Sequence, residues 1–405
     1  MDERRYYGLD ALRGGMMMLG IVLHGAMWYL AAPPPRWPFA SDPNTSYLFD
    51  VMIVFIHSFR MPTFFLLSGF FTSLLVEKRG VLGTYKNRAA RVLAPLLVAV
   101  VTVLPITGLL MIDFFLSARF GTHDFIPDRG QLAIFGRELM AKGWPVDQPS
   151  VGHLWFLYYL LYFYLLIPVC RWLVKSSLRV EDGVRRFLRS PATLVLFGLY
   201  AAATLWPYHG GQVFEEAFVL KPHVPSLIYY GSFFVFGYVF HYYREILQTF
   251  SRCLYWYALL ALVVFPLSLY ASHQELSSAS PVLGIHIAAV ILNGLCTWTL
   301  VFLSVGCALR FFDYESTWIL YTSQSSYWVY LVHMIPVSFA SWWLLQYDFP
   351  AELKYLIVVG VATMACFLTY HYWVQKTWIS AFLNWRRFDL QWPWLEVRPD
   401  VPKER

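Results

Sequence analysis

The sequence predicts an all-α polytopic membrane protein, and three observations carry that prediction. Of 405 residues, 58% are hydrophobic and 14% charged, whereas a soluble domain has about a quarter of its residues charged. Apolar stretches close to the roughly 20 residues needed to cross hydrocarbon recur from end to end. The 17 Trp and 27 Tyr often flank these stretches, as side chains anchored at a bilayer interface do.

About ten transmembrane helices follow. The first, 10–31, lies between Arg4-Arg5 and Leu30-Ala31-Ala32, a layout that mimics a secretory signal. Asp10 and Arg13 interrupt its apolar run and many spans follow, so it reads as an uncleaved helix. The second, 48–76, contains Pro62, which lacks a backbone donor and bends a helix, and Gly69, which admits a close neighbour. The third, 92–118, starts beside Lys86, Arg88 and Arg91. An outer loop, 119–152, separates it from the fourth, 153–174, and within that loop 131–141 reads as an interfacial helix. The others are expected near 191–208, 226–243, 253–272, 284–309, 318–345 and 355–379. Residues 1–380 then form one transmembrane domain and 381–405 a cytoplasmic tail.

With the N-terminus inside, about 22 of the 31 Lys and Arg fall on the inner side and about 7 outside, the asymmetry that fixes topology. Both termini are then cytoplasmic. The net charge of +6 is accounted for by those inner loops and calls for no nucleic acid. Five scattered cysteines, Cys170, Cys253, Cys296, Cys307 and Cys366, form no CxxC or Cys/His cluster. They read as small apolar fillers, and no metal site is expected. No internal repeat is apparent, which counts against an inverted-repeat transporter.

Ionisable groups inside spans are functional candidates. In the first helix, His24 follows Arg13 with ten residues between them. Eleven helical steps return it to within about 20° of the same face, roughly 16 Å farther along. Asp10 and Arg13 are i,i+3 neighbours, and a simple ion pair at the helix end explains them as well. His24 is either a satisfied core histidine or a general base, since neutral imidazole takes a proton near pH 7. In the second helix, His57 and Arg60 lie three apart, and an Arg in hydrocarbon needs a cavity, an anion or a structural partner. Arg88-x-x-Arg91 puts two guanidiniums on one face, a geometry that suits phosphate. Ordinary positive-inside charge is the bland alternative, weakened by Arg13 on the same side.

Softer candidates are Ser68, His153 at the outer start of the fourth helix, and His333 deep in the ninth. His286 and His371 suit packing or the interface. Asp124, Asp128, Glu215, Glu216 and Glu275 read as solvated loop charges. There is no GxSxG elbow, Walker loop, HExxH or Gly-rich dinucleotide signature.

Taken together, four elements resemble the membrane-bound acyltransferase family 3. They are Leu9-Asp10-x-Leu12-Arg13 with His24; Met61-Pro62-x-Phe64-Phe65-x-x-Ser68-Gly69-Phe70; Arg88-x-x-Arg91; and Ser326-Tyr327-x-x-Tyr330-Leu331-x-His333. Stretches 153–161 and 59–71 are most similar to a branch that succinylates periplasmic glucans. The resemblance implies an integral O-acyltransferase of the bacterial inner membrane. It would move a succinyl or acetyl group from cytoplasmic acyl-CoA to a carbohydrate hydroxyl at the outer face, with no permanently bound cofactor. Arg88 and Arg91 would then hold CoA phosphates and Arg13 would guide the donor, while His24 would act as base. The roughly 16 Å between Arg13 and His24 is comparable to a pantetheine arm. Arg60 would stabilise an oxyanion or pair with a succinyl carboxylate. Asp10, His57, Ser68, His153 and His333 are assigned to the cavity. A transporter or flippase for a small anionic or glycan-linked solute is the rival from another class, since intramembrane Arg and His would serve it equally.

Overall fold

The computed structural model describes residues 6–34, 37, 40–121, 129–142, 150–213, 220–278 and 282–384. These are helical almost throughout. The helices are α1 (Tyr7–Ala26), α2 (Tyr47–Arg88), α3 (Ala94–Phe120), α4 (Arg129–Ala141), α5 (Trp155–Tyr164), α6 (Ile167–Ser177), α7 (Glu181–Leu188) and α8 (Ala192–Leu205). They continue with α9 (Val224–Phe240), α10 (Ile246–Arg252), α11 (Leu254–Ser277), α12 (Leu283–Phe311), α13 (Thr317–Val332), α14 (Met334–Leu344), α15 (Ala351–Thr369) and α16 (Trp378–Asn384).

Among the described residues, four stretches are long and apolar enough to cross a membrane: Tyr47–Phe120, Leu254–Ser277, Leu283–Phe311 and Ala351–Val374. A bent pair, Gly152–Tyr164 and Ile167–Leu188, adds a fifth if its 58° break lies within one span. Tyr47–Phe120 joins two expected spans, because α2 does not stop near 76. It runs through Pro62 to Gly80, where φ is +68° and ψ 175°, and resumes to Arg88. A π-helical turn, Ala89–Leu93, then leads into α3. Three further apolar helices, α8, α9 and α14, are shorter than the bilayer demands of a straight span.

Other boundaries also differ from expectation for physical reasons. The first helix ends at Ala26 rather than near 31, and beyond it Asp50 on α2 accepts the backbone N–H groups of Ala31 and Ala32, each at 3.0 Å. The expected helix 318–345 breaks between α13 and α14, with His333 at the junction. Pro336 stands three residues beyond and cannot donate to the carbonyl of Val332. The helix expected at 131–141 forms as α4. Most of the expected tail 381–405 lies outside the described residues.

Helices α1 and α13 pack along each other, with α2, α12 and α15 also against α1. Helices α2 and α9 meet at two glycines. A Cβ on Gly69 would land on the Phe234 carbonyl, and one on Gly237 on the Leu66 carbonyl. Small residues allow this backbone approach in membranes, where burial of apolar surface does not itself drive helices together. At the Ala26 end of α1, Lys354 Nζ donates to both Asp42 carboxylate oxygens at 2.9 and 2.8 Å. The two side chains are 1% and 0% exposed, so the pair is dry.

Candidate active site

Two polar regions flank α1. The first is a cavity of about 340 Å³ lined by Arg13, Lys78, Arg88 and Arg91, with no Asp or Glu among its described lining residues. Arg13 comes from α1 and Lys78 and Arg88 from α2, while Arg91 sits in the π-helical turn. Arg13 Nη2 donates to the Ser323 hydroxyl at 2.5 Å and to its carbonyl at 3.2 Å. Asp10 joins the same group, 3.4 Å from Arg13 Nη2 and accepting from the Ser323 hydroxyl at 3.2 Å. Arg88 lies with Cζ 5.3 Å from the Tyr164 ring centroid, and its Nη2 donates to Thr72 Oγ1 at 3.4 Å. Tyr327 donates to the Arg91 carbonyl at 2.9 Å, fixing the turn. Ser68 also lines this cavity, and so do Ser326, Tyr327 and Tyr330 of the α13 motif.

The second region is a histidine cluster. His24 Nδ1 and His333 Nε2 are 2.8 Å apart, and the rings stack at 5.0 Å with 20° between planes. On its other side, His333 Nδ1 lies 2.9 Å from the carbonyls of both Val329 and Tyr330. His153 meets His333 edge-on at 5.6 Å and donates from Nε2 to the Leu331 carbonyl at 3.1 Å. Arg60, 6% exposed, reaches the cluster across α1. Its Nε donates to the Met16 carbonyl at 2.9 Å and its Nη1 lies 3.9 Å from Met61 Sδ. Gly20 makes the room: a Cβ there would collide with Arg60 Nη2 and lie 3.7 Å from His333 Nε2. Among the described residues, Arg60 has no carboxylate partner.

The cavity ends short of His24. It is lined as deep as Met17, Phe64, Phe156 and Tyr330, and none of the cluster histidines lines it. Phe64 separates the regions directly, since the Arg60 Cζ lies 5.7 Å from its ring. Of the residues assigned to the cavity from sequence, Ser68 lines it, Asp10 lies behind Arg13 without lining it, and His153 and His333 belong to the cluster. His57 does not line the cavity either. Its Nε2 donates to the Val213 carbonyl at 2.5 Å, in a niche of about 20 Å³ with Gln212, Asn293 and Thr297. His286 sits between Glu275 (2.7 Å) and the Trp206 carbonyl (3.0 Å), and His371 beside the Tyr321 hydroxyl (3.4 Å), both in packing roles. Asp124, Asp128, Glu215 and Glu216 lie outside the described residues. No group of three or more His, Cys, Asp or Glu among the described residues has the geometry to hold a metal ion.

The arrangement offers a cationic receptacle for a polyanion and, beyond an aromatic layer, imidazoles with a guanidinium beside them. Comparison with known proteins narrows that chemistry. A family model described as an acyltransferase domain matches residues 6–372. The chain is 25% identical over 357 residues to glucans biosynthesis protein C of Escherichia coli O1:K1, covering 82% of both chains. The protein of the same name from Escherichia coli strain K12 gives the same figures. No solved structure matches.

Proposed function

The chain belongs to this acyltransferase family and is an acyltransferase with membrane-spanning character; from that premise we propose its donor, acceptor and topology. The donor is cytoplasmic acyl-CoA carrying a succinyl or acetyl group. The acceptor is a carbohydrate hydroxyl at the outer face of a bacterial inner membrane, a periplasmic glucan being the case its relatives' name favours. About ten spans leave both termini in the cytoplasm, several of them short or broken like α5–α6 and α13–α14.

One observation supports the donor above all: the cavity lined by Arg13, Lys78, Arg88 and Arg91 contains no acidic lining residue among those described. Guanidiniums match phosphate oxygens two at a time, so Arg88 and Arg91 hold the phosphates of CoA, and Arg13 guides the donor past Ser323. The thioester end reaches His24, roughly 16 Å from Arg13 along α1, when the layer of Met17, Phe64 and Tyr330 that closes the cavity moves aside.

Transfer is direct. Neutral His24 takes the proton of the acceptor hydroxyl as its oxygen bonds to the thioester carbon. The carbon–sulfur bond breaks, the thiolate leaves towards the cytoplasm, and His24 returns the proton to it. Arg60 serves the oxyanion or, with a succinyl donor, its free carboxylate. Arg60→Met separates these roles, because losing the first slows every donor and losing the second slows only succinyl-CoA.

The test is purified protein with acyl-CoA and a glucan acceptor. Release of free thiol with an ester on the glycan by mass spectrometry is expected. Solute movement across vesicles with no thiol released would replace this reading with transport.

A further inference from the structure

We infer that His333 is the positioning residue of the transfer reaction, choosing which nitrogen of His24 carries the lone pair. The inference rests on His24 as base and adds the group that makes it one. Hydrogen positions follow from the backbone. His333 Nδ1 faces two carbonyl oxygens, of Val329 and Tyr330, each at 2.9 Å. Carbonyls only accept, so the hydrogen of His333 sits on Nδ1.

A neutral imidazole has one N–H, so His333 Nε2 presents a lone pair. That lone pair faces His24 Nδ1 at 2.8 Å. His24 therefore donates from Nδ1, and its own lone pair lies on Nε2. In this way the hydrogen bond made by one ring nitrogen decides the state of the other.

The site has no carboxylate in this position among the described residues. A second imidazole does the work that an acidic side chain does in many catalytic histidine pairs, with the main chain at the α13–α14 break as the fixed reference. When His24 Nε2 accepts the acceptor's proton, the imidazolium keeps its Nδ1–H bond to His333 Nε2. When Nε2 gives that proton to the leaving thiolate, both rings return to their starting state. No proton leaves the pair towards His333 and none is lost.

The experiment compares wild type with His333→Leu, His333→Gln and His24→Gln in steady-state transfer from acyl-CoA. The leucine removes the acceptor and should lower kcat about 10²- to 10⁴-fold, as loss of the correct tautomer does in catalytic triads. KM for acyl-CoA should stay within about threefold, since His333 lies outside the cationic cavity. Glutamine offers an amide oxygen to His24 Nδ1 and should recover at least about tenfold of the loss.

Leucine and glutamine variants equally impaired at unchanged unfolding temperature, or a leucine variant within about threefold of wild type, overturn the inference while leaving the base intact. An active His24→Gln overturns the base itself. If the leucine variant does not fold, ¹⁵N-histidine spectra of wild type decide: hydrogen on His24 Nδ1 supports the assignment, and hydrogen on Nε2 ends it.

Discussion

The cationic cavity and the histidine cluster lie on the same helix and are built on opposite principles. In the cavity, Lys78 is exposed, Arg13, Arg88 and Arg91 are partly so, and hydroxyls or aromatic faces meet Arg13 and Arg88. In the cluster, His333, His153 and Arg60 are buried and main-chain carbonyls accept from each, while His24, partly exposed, is held by His333. Partly exposed cations suit a charged partner that comes and goes. Dry groups fixed to the backbone hold a geometry, which a reacting centre needs and a docking site does not.

That contrast breaks first if the reacting group is misassigned. His24→Ala should abolish transfer by about 10²- to 10⁴-fold in kcat while acyl-CoA still binds, which isothermal titration checks. Charge reversal of Arg88 and Arg91 should do the opposite. It should raise KM for acyl-CoA by about 10- to 100-fold per charge-assisted contact with a much smaller effect on kcat. Equal loss in both parameters would make the two regions one site.

Gly20→Ala sharpens the boundary. Its Cβ displaces Arg60 from beside His333, so kcat should fall by roughly tenfold while donor KM holds, an intermediate effect because the guanidinium can shift. The smallest effect belongs to Ser323→Ala. Arg13 loses one hydroxyl contact but keeps the Ser323 carbonyl and Asp10, so donor KM should rise only about 2- to 10-fold.

The cavity was more legible in the sequence than the cluster, and the reason is local geometry. Arg88 and Arg91 are three residues apart and Arg13 lies on the same side, so charge and spacing alone brought them together. The His24–His333 contact joins residues 309 apart, and helical periodicity says nothing of which helices become neighbours. His57 shows the converse failure. It is three positions from Arg60, yet Arg60 turns through the Gly20 notch while His57 bonds Val213. Face sharing gives a direction, and small residues on the facing helix decide who can follow it.

Two breaks had readable signals. Pro336 marks the interruption beside His333, where hydropathy saw one long span. Gly80 marks the true turn of α2, beyond the end expected near 76. The π-helical turn that places Arg91 had none, because Ala89-Ala90 fits an ordinary helix equally well.

The glycines at 69 and 237 carry a consequence for how such a chamber diversifies. Where α-carbons rest on the opposing main chain, the spacing of α2 and α9 is set by atoms that every amino acid shares. Substitution there can only push the pair apart. Side chains that α5 and α13 project into the cavity, Phe156, Leu160 and Tyr327, can change size without moving that pair.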